Sequence, residues 1–66
     1  MRIFVNGREE EVRQGESVRA LIERMNLGRA ACAAEVNKRL VPRKEQETTE
    51  LREGDRVELV SLVGGG

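Results

Sequence analysis

Residues 1–5 form a largely apolar, β-prone run in which only Arg2 is polar. Ile3 and Val5 would share one face of this strand, and Phe4 would lie on the other. Asn-Gly at positions 6–7 is a strong hairpin signal, because both residue types tolerate the positive φ angles of a type I′ turn. The chain is therefore predicted to begin with a β-hairpin.

The returning strand of this hairpin, at residues 8–13, is densely charged and reads Arg-Glu-Glu-Glu-Val-Arg. Charged side chains protect the open edge of a sheet from pairing with other chains. Three successive glutamates could also be interpreted as an acidic metal site. We interpret them as part of a solvated edge strand, which needs no bound ion.

An amphipathic helix is predicted to follow the hairpin. Its apolar residues recur at the helical spacing i, i+3, i+4 and i+7, and they are Val18, Leu21, Ile22 and Met25. Ser17 is the predicted N-cap, and Glu16 beside it lies where the helix dipole favours an acid. Gly28 is the predicted C′ residue that ends the helix.

The second half of the chain has the pattern of three more strands. They are predicted at residues 32–36, 39–41 and 56–63, with one helical turn near 44–46 and a tight turn at 53–55. In the last and longest strand, Val57 and Leu59 would face one way, and Val60 and Leu62 the other. Apolar residues on both faces are typical of a central strand, here with some surface left for a partner.

The predicted order of strand, strand, helix and three strands indicates the α+β class. A right-handed crossover through the helix lets the last strand lie parallel to the first. This architecture is a β-grasp, a mixed sheet of four to five strands with one main helix packed on one face. Residues 1–66 would form a single domain of this kind, with residues 64–66 as a flexible C-terminal tail.

Composition and charge argue against several classes of function. Twelve Lys and Arg residues balance twelve Asp and Glu residues, and this zero net charge argues against a nucleic-acid partner. The chain has no His, so the commonest general base and metal ligand is missing, and we expect neither a catalytic site nor a metal site. Without a long apolar run we expect no membrane partner, and a single cysteine fits a reducing, cytoplasmic location.

Two residues in the third predicted strand need separate interpretation. Cys32 could act as a persulfide relay or resolving thiol, but no His exists to activate it, so we interpret it as a small hydrophobic residue. Glu35 interrupts a run of small and apolar residues. We expect its side chain to be exposed or to pair with a nearby arginine.

Three glycines, Gly64, Gly65 and Gly66, close the sequence. Because glycine has no side chain, such a segment is flexible and can enter a channel only as wide as a peptide backbone. Fully extended, three residues reach about 10 Å. An α-carboxyl at Gly66 titrates near pKa ~3.5, so it is an anion at neutral pH and would need activation, by ATP in a partner, before any acyl chemistry. From the glycines alone, a frayed tail or a cloning remnant is also an open interpretation.

Several short motifs follow one another along the chain. They are Asn-Gly at 6–7, Gln-Gly-Glu-Ser-Val at 14–18, Val-Asn at 36–37, Leu-Val-Pro-Arg at 40–43, Glu-Gly-Asp-Arg-Val-Glu at 53–58 and the final glycines. In this order, and over the whole length, the chain resembles the ThiS family of ubiquitin-like sulfur carriers of thiamin biosynthesis. The resemblance implies a β-grasp fold and a carrier that is a substrate of enzymes and not itself an enzyme.

The resemblance also implies a mechanism centred on Gly66. A ThiF-like adenylating enzyme would use ATP to adenylate its carboxylate, and sulfur transfer would then leave a C-terminal thiocarboxylate. A ThiG-like thiazole synthase would accept the sulfur for the thiazole ring. Gly65 and Gly66 correspond to the diglycine of the family, and Gly64 is an added spacer. The carrier itself would bind no cofactor.

Related carriers dock through an apolar patch on the exposed sheet face. The residues that we expect to form this partner interface are Phe4, Val60 and Leu62. Phe4 could instead belong to the core, since the strand pattern alone does not say which face the helix covers.

Three alternatives to the thiamin carrier use the same residues differently. A MoaD-like carrier, or a carrier of a cysteine or thionucleoside pathway, would hand sulfur to another acceptor. A ubiquitin-like modifier would join Gly66 to a lysine as an amide. A plain interaction module would not need its tail, so removal of Gly65 and Gly66 would leave its function intact.

Overall fold

The computed structural model describes residues 1–25 and 32–61 of the 66-residue chain. Its elements are β1 (Arg2–Val5), β2 (Arg8–Glu11), α1 (Val18–Arg24), β3 (Cys32–Val36), β4 (Arg39–Val41), a 3₁₀ turn (Arg43–Glu45) and β5 (Arg56–Ser61). The strands form one sheet in the order β2-β1-β5-β3-β4. β5 runs parallel to β1 and antiparallel to β3, so the last strand is central. The predicted α+β class and β-grasp arrangement are confirmed, in the five-stranded form.

The predicted boundaries agree with the structure to within one or two residues. The third and fourth strands have the predicted bounds. The first strand begins one residue later than predicted, and the helical turn lies one residue earlier. β2 ends at Glu11, two residues earlier than predicted, and Val12 after it is buried in the core at 5% exposure. The predicted helix end at Gly28 and strand positions 62–63 lie outside the described residues.

The core lies between α1 and one face of the sheet. The helix contributes Val18, Leu21 and Ile22, all fully buried, which confirms three positions of the predicted apolar stripe. The strands contribute the side chains on their helix-facing side, which are Ile3, Val5, Ala34, Val41, Val57 and Leu59. Met25 packs partly buried against this cluster as the C-cap of the helix. Burial of this shared apolar surface is what holds the helix to the sheet.

Both hairpins turn through two residues with positive φ. The predicted type I′ turn is present at Asn6 and Gly7, whose φ angles are 51° and 84°. Asn37 and Lys38 form the second turn with φ angles of 53° and 70°. Asparagine tolerates this left-handed region better than other residues with a Cβ, so the two asparagines make both turns possible.

At the start of the helix, Ser17 has its predicted role, but Glu16 does not interact with the helix N-terminus as the helix dipole led us to expect. Ser17 is the N-cap as predicted, and its hydroxyl accepts a hydrogen bond of 3.0 Å from the Ala20 N–H. Glu16, however, does not point at the helix N–H groups. Its carboxylate accepts bonds of 2.9 and 2.7 Å from the Arg24 guanidinium at the far end of α1, and it is only 7% exposed. Glu16 therefore ties the loop before the helix to the last helical residue.

Candidate functional site

The sheet face turned away from α1, called the outer face below, is open over the part of the chain that the structure describes. The strand period places alternate residues of every strand on it, because neighbouring side chains point to opposite faces. Its members along the three central strands and β4 are Arg2, Phe4, Arg56, Glu58, Val60, Ala33, Glu35 and Leu40. Two of them are large hydrophobic residues that are well exposed, Val60 at 55% and Leu40 at 65%.

Phe4 lies on the outer face, since its neighbours Ile3 and Val5 fill the core. It is half-buried because Arg56 on the adjacent strand covers it, with the guanidinium carbon 4.8 Å from the ring centroid. This is the geometry of a cation–π contact, worth about 0.5–1 kcal/mol at an exposed site. A partner that contacts the Phe4 ring therefore also contacts the positively charged guanidinium of Arg56.

Phe4 and Val60 share the outer face but do not touch. Phe4 is opposite Arg56 in the parallel pairing, and Val60 lies four residues further along β5, about 13 Å at the rise of a strand. Leu40 is a further exposed apolar residue that sequence reasoning missed. Its signal was present in the alternation of β4, because Val41 beside it is buried and Leu40 must point the other way. The role of these residues in a partner interface stays a prediction.

Acidic side chains separate the apolar positions of the outer face. Glu35 is exposed, one of the two outcomes expected for it, and its direct partner across the β3–β5 pairing is Glu58. Like charges directly opposite one another destabilise a sheet slightly. On its other side Glu35 is opposite Leu40. The outer face is therefore mixed in character and not a continuous apolar patch.

The two turn asparagines hold the central strand from opposite sides. Asn6 Oδ1 accepts a 2.9 Å bond from the Leu59 N–H, and its Nδ2 donates to the Leu59 carbonyl at 3.2 Å. Asn37 Oδ1 accepts from the Arg56 N–H at 3.0 Å, while its Nδ2 donates to the Asp55 carboxylate at 3.0 Å. The Asn6 side chain replaces the next backbone pair of the β1–β5 ladder, so β5 stays anchored after β1 has turned away. The Asn-Gly pattern identified Asn6 as a turn residue, but nothing local indicated these contacts.

Cys32 has the surroundings of a packing residue. It is half-buried against the core, and burial raises the pKa of its thiol, which lowers the fraction of reactive thiolate at neutral pH. Its carbonyl accepts a 3.2 Å bond from Nε2 of Gln46, a polar residue that is only 2% exposed. The inert interpretation of Cys32 therefore agrees with its position, whereas the structural role of Gln46 was missed.

Two other kinds of feature are absent from the described ranges. Among residues 1–25 and 32–61, no three His, Cys, Asp or Glu side chains gather in a way that could hold a metal ion. Within those same ranges, no helix is long and apolar enough to cross a membrane. Ser61 is the last described residue of β5, and the predicted site residues Leu62, Gly64, Gly65 and Gly66 lie outside the described residues.

Several known proteins are similar to this chain in sequence or in structure. The Escherichia coli sulfur carrier protein ThiS is 27% identical over the full length of both chains. A crystal structure of the thiamine biosynthesis protein ThiS from Geobacter metallireducens superimposes with a TM-score of 0.83 at 28% identity, again over the whole of both chains. A thiazole synthase from Paramagnetospirillum magneticum is 29% identical over 66 residues, and the chain spans 20% of the length of that protein. Because the model of the ThiS family matches residues 1–66, the chain belongs to the ThiS family.

Proposed function

We propose that this protein is a sulfur carrier of thiamin biosynthesis that carries sulfur as a thiocarboxylate on Gly66. The observation that supports this most strongly is the match of the ThiS family over residues 1–66. The architecture is compatible with it, because the central strand of the sheet leads in sequence to the three glycines. The functional group is then the C-terminal carboxyl, and the folded domain serves to present it.

The proposed chemistry follows from the low reactivity of a carboxylate. A ThiF-like enzyme binds ATP, and a carboxylate oxygen of Gly66 attacks the α-phosphorus, which forms an acyl adenylate and releases pyrophosphate. The sulfur of a persulfide on a partner protein then attacks the acyl carbon, and AMP leaves. Reductive cleavage of the resulting S–S bond by a thiol leaves the thiocarboxylate. ATP is thus used by the partner, and the carrier is a substrate that binds no cofactor itself.

Glycine is suited to this role because it lets the backbone enter a narrow active site. A Cβ at Gly65 or Gly66 would widen the segment and restrict its φ and ψ angles. Ordering each residue costs about 1–2 kcal/mol, which docking of the folded domain has to offset. In this proposal Phe4, Val60 and Leu62 contribute to that docking, and Gly64 only lengthens the tail.

The acceptor in this proposal is a ThiG-like thiazole synthase. The similarity to part of a protein named thiazole synthase supports this acceptor over the molybdopterin pathway of MoaD-like carriers. Neither a nucleic acid nor a membrane is part of the proposed cycle. The cytoplasmic location stays a prediction from composition.

The test is the intact mass of the protein after incubation with ATP, a sulfur donor and the ThiF-like enzyme of the same organism. We expect a mass gain equal to one oxygen-to-sulfur exchange, mapped to Gly66 by fragmentation. Deletion of Gly65 and Gly66 should abolish the gain, and deletion of Gly64 alone is the matched control that should retain it. Unmodified acid at Gly66 under these conditions, or an amide to a lysine in place of the thioacid, would refute the proposal.

A further inference from the structure

A groove of about 510 Å³ lies on the helix side of the molecule and is lined mainly by cations. Among the residues that the structure describes, its lining consists of Arg19 of α1, Arg43 and Lys44 of the 3₁₀ turn, and Glu47 just after it. The cations come from two chain segments more than twenty residues apart, so the fold, and not a local charge run, brings them together.

The groove lies near the Ser61 end of β5. Ser61 is opposite Cys32 in the β3–β5 pairing, and the β3–β4 register continues from Ala34 opposite Val41 toward the start of the 3₁₀ turn. The turn is joined to the same place by the Gln46 side chain, which donates to the Cys32 carbonyl at 3.2 Å. Cys32 therefore neighbours both the end of β5 and the segment that lines the groove.

The backbone also attaches the helix to this end of the sheet. The Arg19 N–H donates to the Gln46 carbonyl at 2.8 Å, so the two sides of the groove are held together. A partner that binds the residues following β5 in sequence has to approach this end of the sheet.

Charge is distributed unevenly between the two edges of the sheet. The segment from Lys38 to Lys44 contains four cations and no acid, whereas β2 on the opposite edge contains three consecutive glutamates. Arg19 forms an ion pair of 3.3 Å with Glu23. Among the described residues, Arg43 and Lys44 have no ion-pair partner and both are exposed. Although the net charge of the chain is zero, the groove near the Ser61 end of β5 is therefore positively charged.

The chemistry of the groove favours protein carboxylates over an extended polyanion. A guanidinium binds a carboxylate through two parallel hydrogen bonds, and an ammonium adds a point charge beside it. Glu47 lines the groove and Glu45 is exposed beside it, so the cations form a small site and not the long basic stripe that follows the phosphates of a nucleic acid. The space is suited to a few side chains, so a short acidic segment of a protein is the occupant that fits.

From these observations we infer that the Arg19–Arg43–Lys44 groove binds an acidic segment of the activating enzyme while that enzyme holds the glycine tail. The inference rests on the proposed function, because it assumes that such an enzyme receives the tail. The groove would orient the carrier, and its field would speed the encounter, since complementary charge acts mainly on association. This contact lies on the helix side of the sheet end and is separate from the outer face.

The test is the association rate of the carrier with its ThiF-like activating enzyme, measured by stopped flow at several NaCl concentrations. The variant is Arg43→Glu with Lys44→Glu, and the matched control is Arg8→Glu with Arg52→Glu, two exposed arginines elsewhere that give the same change of net charge. At about 50 mM salt, where screening is weak, we expect the groove variant to associate at least about tenfold more slowly and the control within about twofold of wild type. The groove variant should also lose most of the salt dependence.

A neutral variant, Arg43→Gln with Lys44→Gln, is the control for misfolding caused by the reversed charges. It should lose an intermediate part of the association rate and keep an unchanged circular dichroism spectrum. Equal rates for the groove variants and the control, with wild-type carrier still converted to the thiocarboxylate, would overturn the inference and leave the proposed function standing. Absence of any thiocarboxylate or complex with wild-type carrier would instead overturn both.

Discussion

The Asn6 side chain is the clearest place to test how the central strand is held. It joins residues 53 positions apart in sequence through two hydrogen bonds to the Leu59 backbone. Leu59 is only 6% exposed, so water has poor access to the groups that Asn6 satisfies. Substitution of Asn6 by glycine and by alanine separates the hydrogen bonds from the backbone conformation.

The expected magnitudes follow from these contacts. Asn6→Gly keeps the positive φ of 51° without steric cost but removes both bonds, at about 1 kcal/mol each, for a loss of about 2 kcal/mol. Asn6→Ala loses the same bonds and adds about 1 kcal/mol for a Cβ in the left-handed region, for about 3 kcal/mol in total. Against a typical stability near 5 kcal/mol, either change is large.

Urea denaturation followed by circular dichroism measures these losses as free energies of unfolding, and thermal melts provide a second reading. For a domain of this size each kcal/mol lowers Tm by about 4–8 °C, so Asn6→Gly should melt about 8–16 °C below wild type. Asn37→Gly is the matched comparison. Its side-chain bonds are solvent-exposed, so a loss of about 1 kcal/mol is expected there.

Two results would contradict this reasoning. If Asn6→Gly were as stable as wild type, the side-chain bonds to Leu59 would contribute nothing and the turn conformation alone would explain the asparagine. If Asn6→Gly and Asn37→Gly lowered the free energy of unfolding by the same amount, the burial of the Leu59 backbone groups would not increase the contribution of the Asn6 bonds to stability.

Three further predictions concern other parts of the domain. Hydrogen bonds from the Arg24 guanidinium lower the pKa of Glu16 in the folded protein. The stability that these bonds contribute is therefore fully present above the pKa of the unfolded state, near ~4.3, and it is lost as the pH falls through the lower pKa of the folded state. Glu16→Gln should therefore melt below wild type at pH 7, with a difference that narrows in acid; a difference independent of pH would refute the ion-pair explanation. Ser17→Ala removes the bond to the Ala20 N–H and should cost about 1 kcal/mol in urea denaturation, whereas Ser17→Asp, which also caps, should cost much less. Cys32→Ala should leave thiocarboxylate formation unchanged in the mass assay, and the wild-type thiol should react with a disulfide reagent more slowly than a free cysteine; loss of sulfur loading in this variant would revive the relay interpretation.

Much of the fold could be predicted from the sequence because the relevant interactions are local. The Asn-Gly turn at 6–7, the Ser17 cap and the apolar stripe of the helix each depend on residues within a few positions of one another. Alternation also separated Phe4 from Ile3 and Val5 and Val60 from Val57 and Leu59, but only the structure shows that the helix covers the face without Phe4 and Val60. The order of these elements then left few topologies, and the parallel pairing of β1 with β5 is the one observed.

The contacts that depend on which strands become neighbours were decided only by the tertiary structure. The Asn6–Leu59 bonds, the Glu16–Arg24 pair and the cover of Phe4 by Arg56 join groups whose meeting is determined by register and packing. The same holds for the groove, since a cation on the helix and two on the 3₁₀ turn become one surface only when the helix lies on the sheet. The elements, their order and the family resemblance can be predicted from the sequence, because they follow from local periodicity, turn chemistry and motif order. Which charges and amides face one another depends on the folded arrangement, because side chains distant in sequence become neighbours only when apolar burial closes the chain.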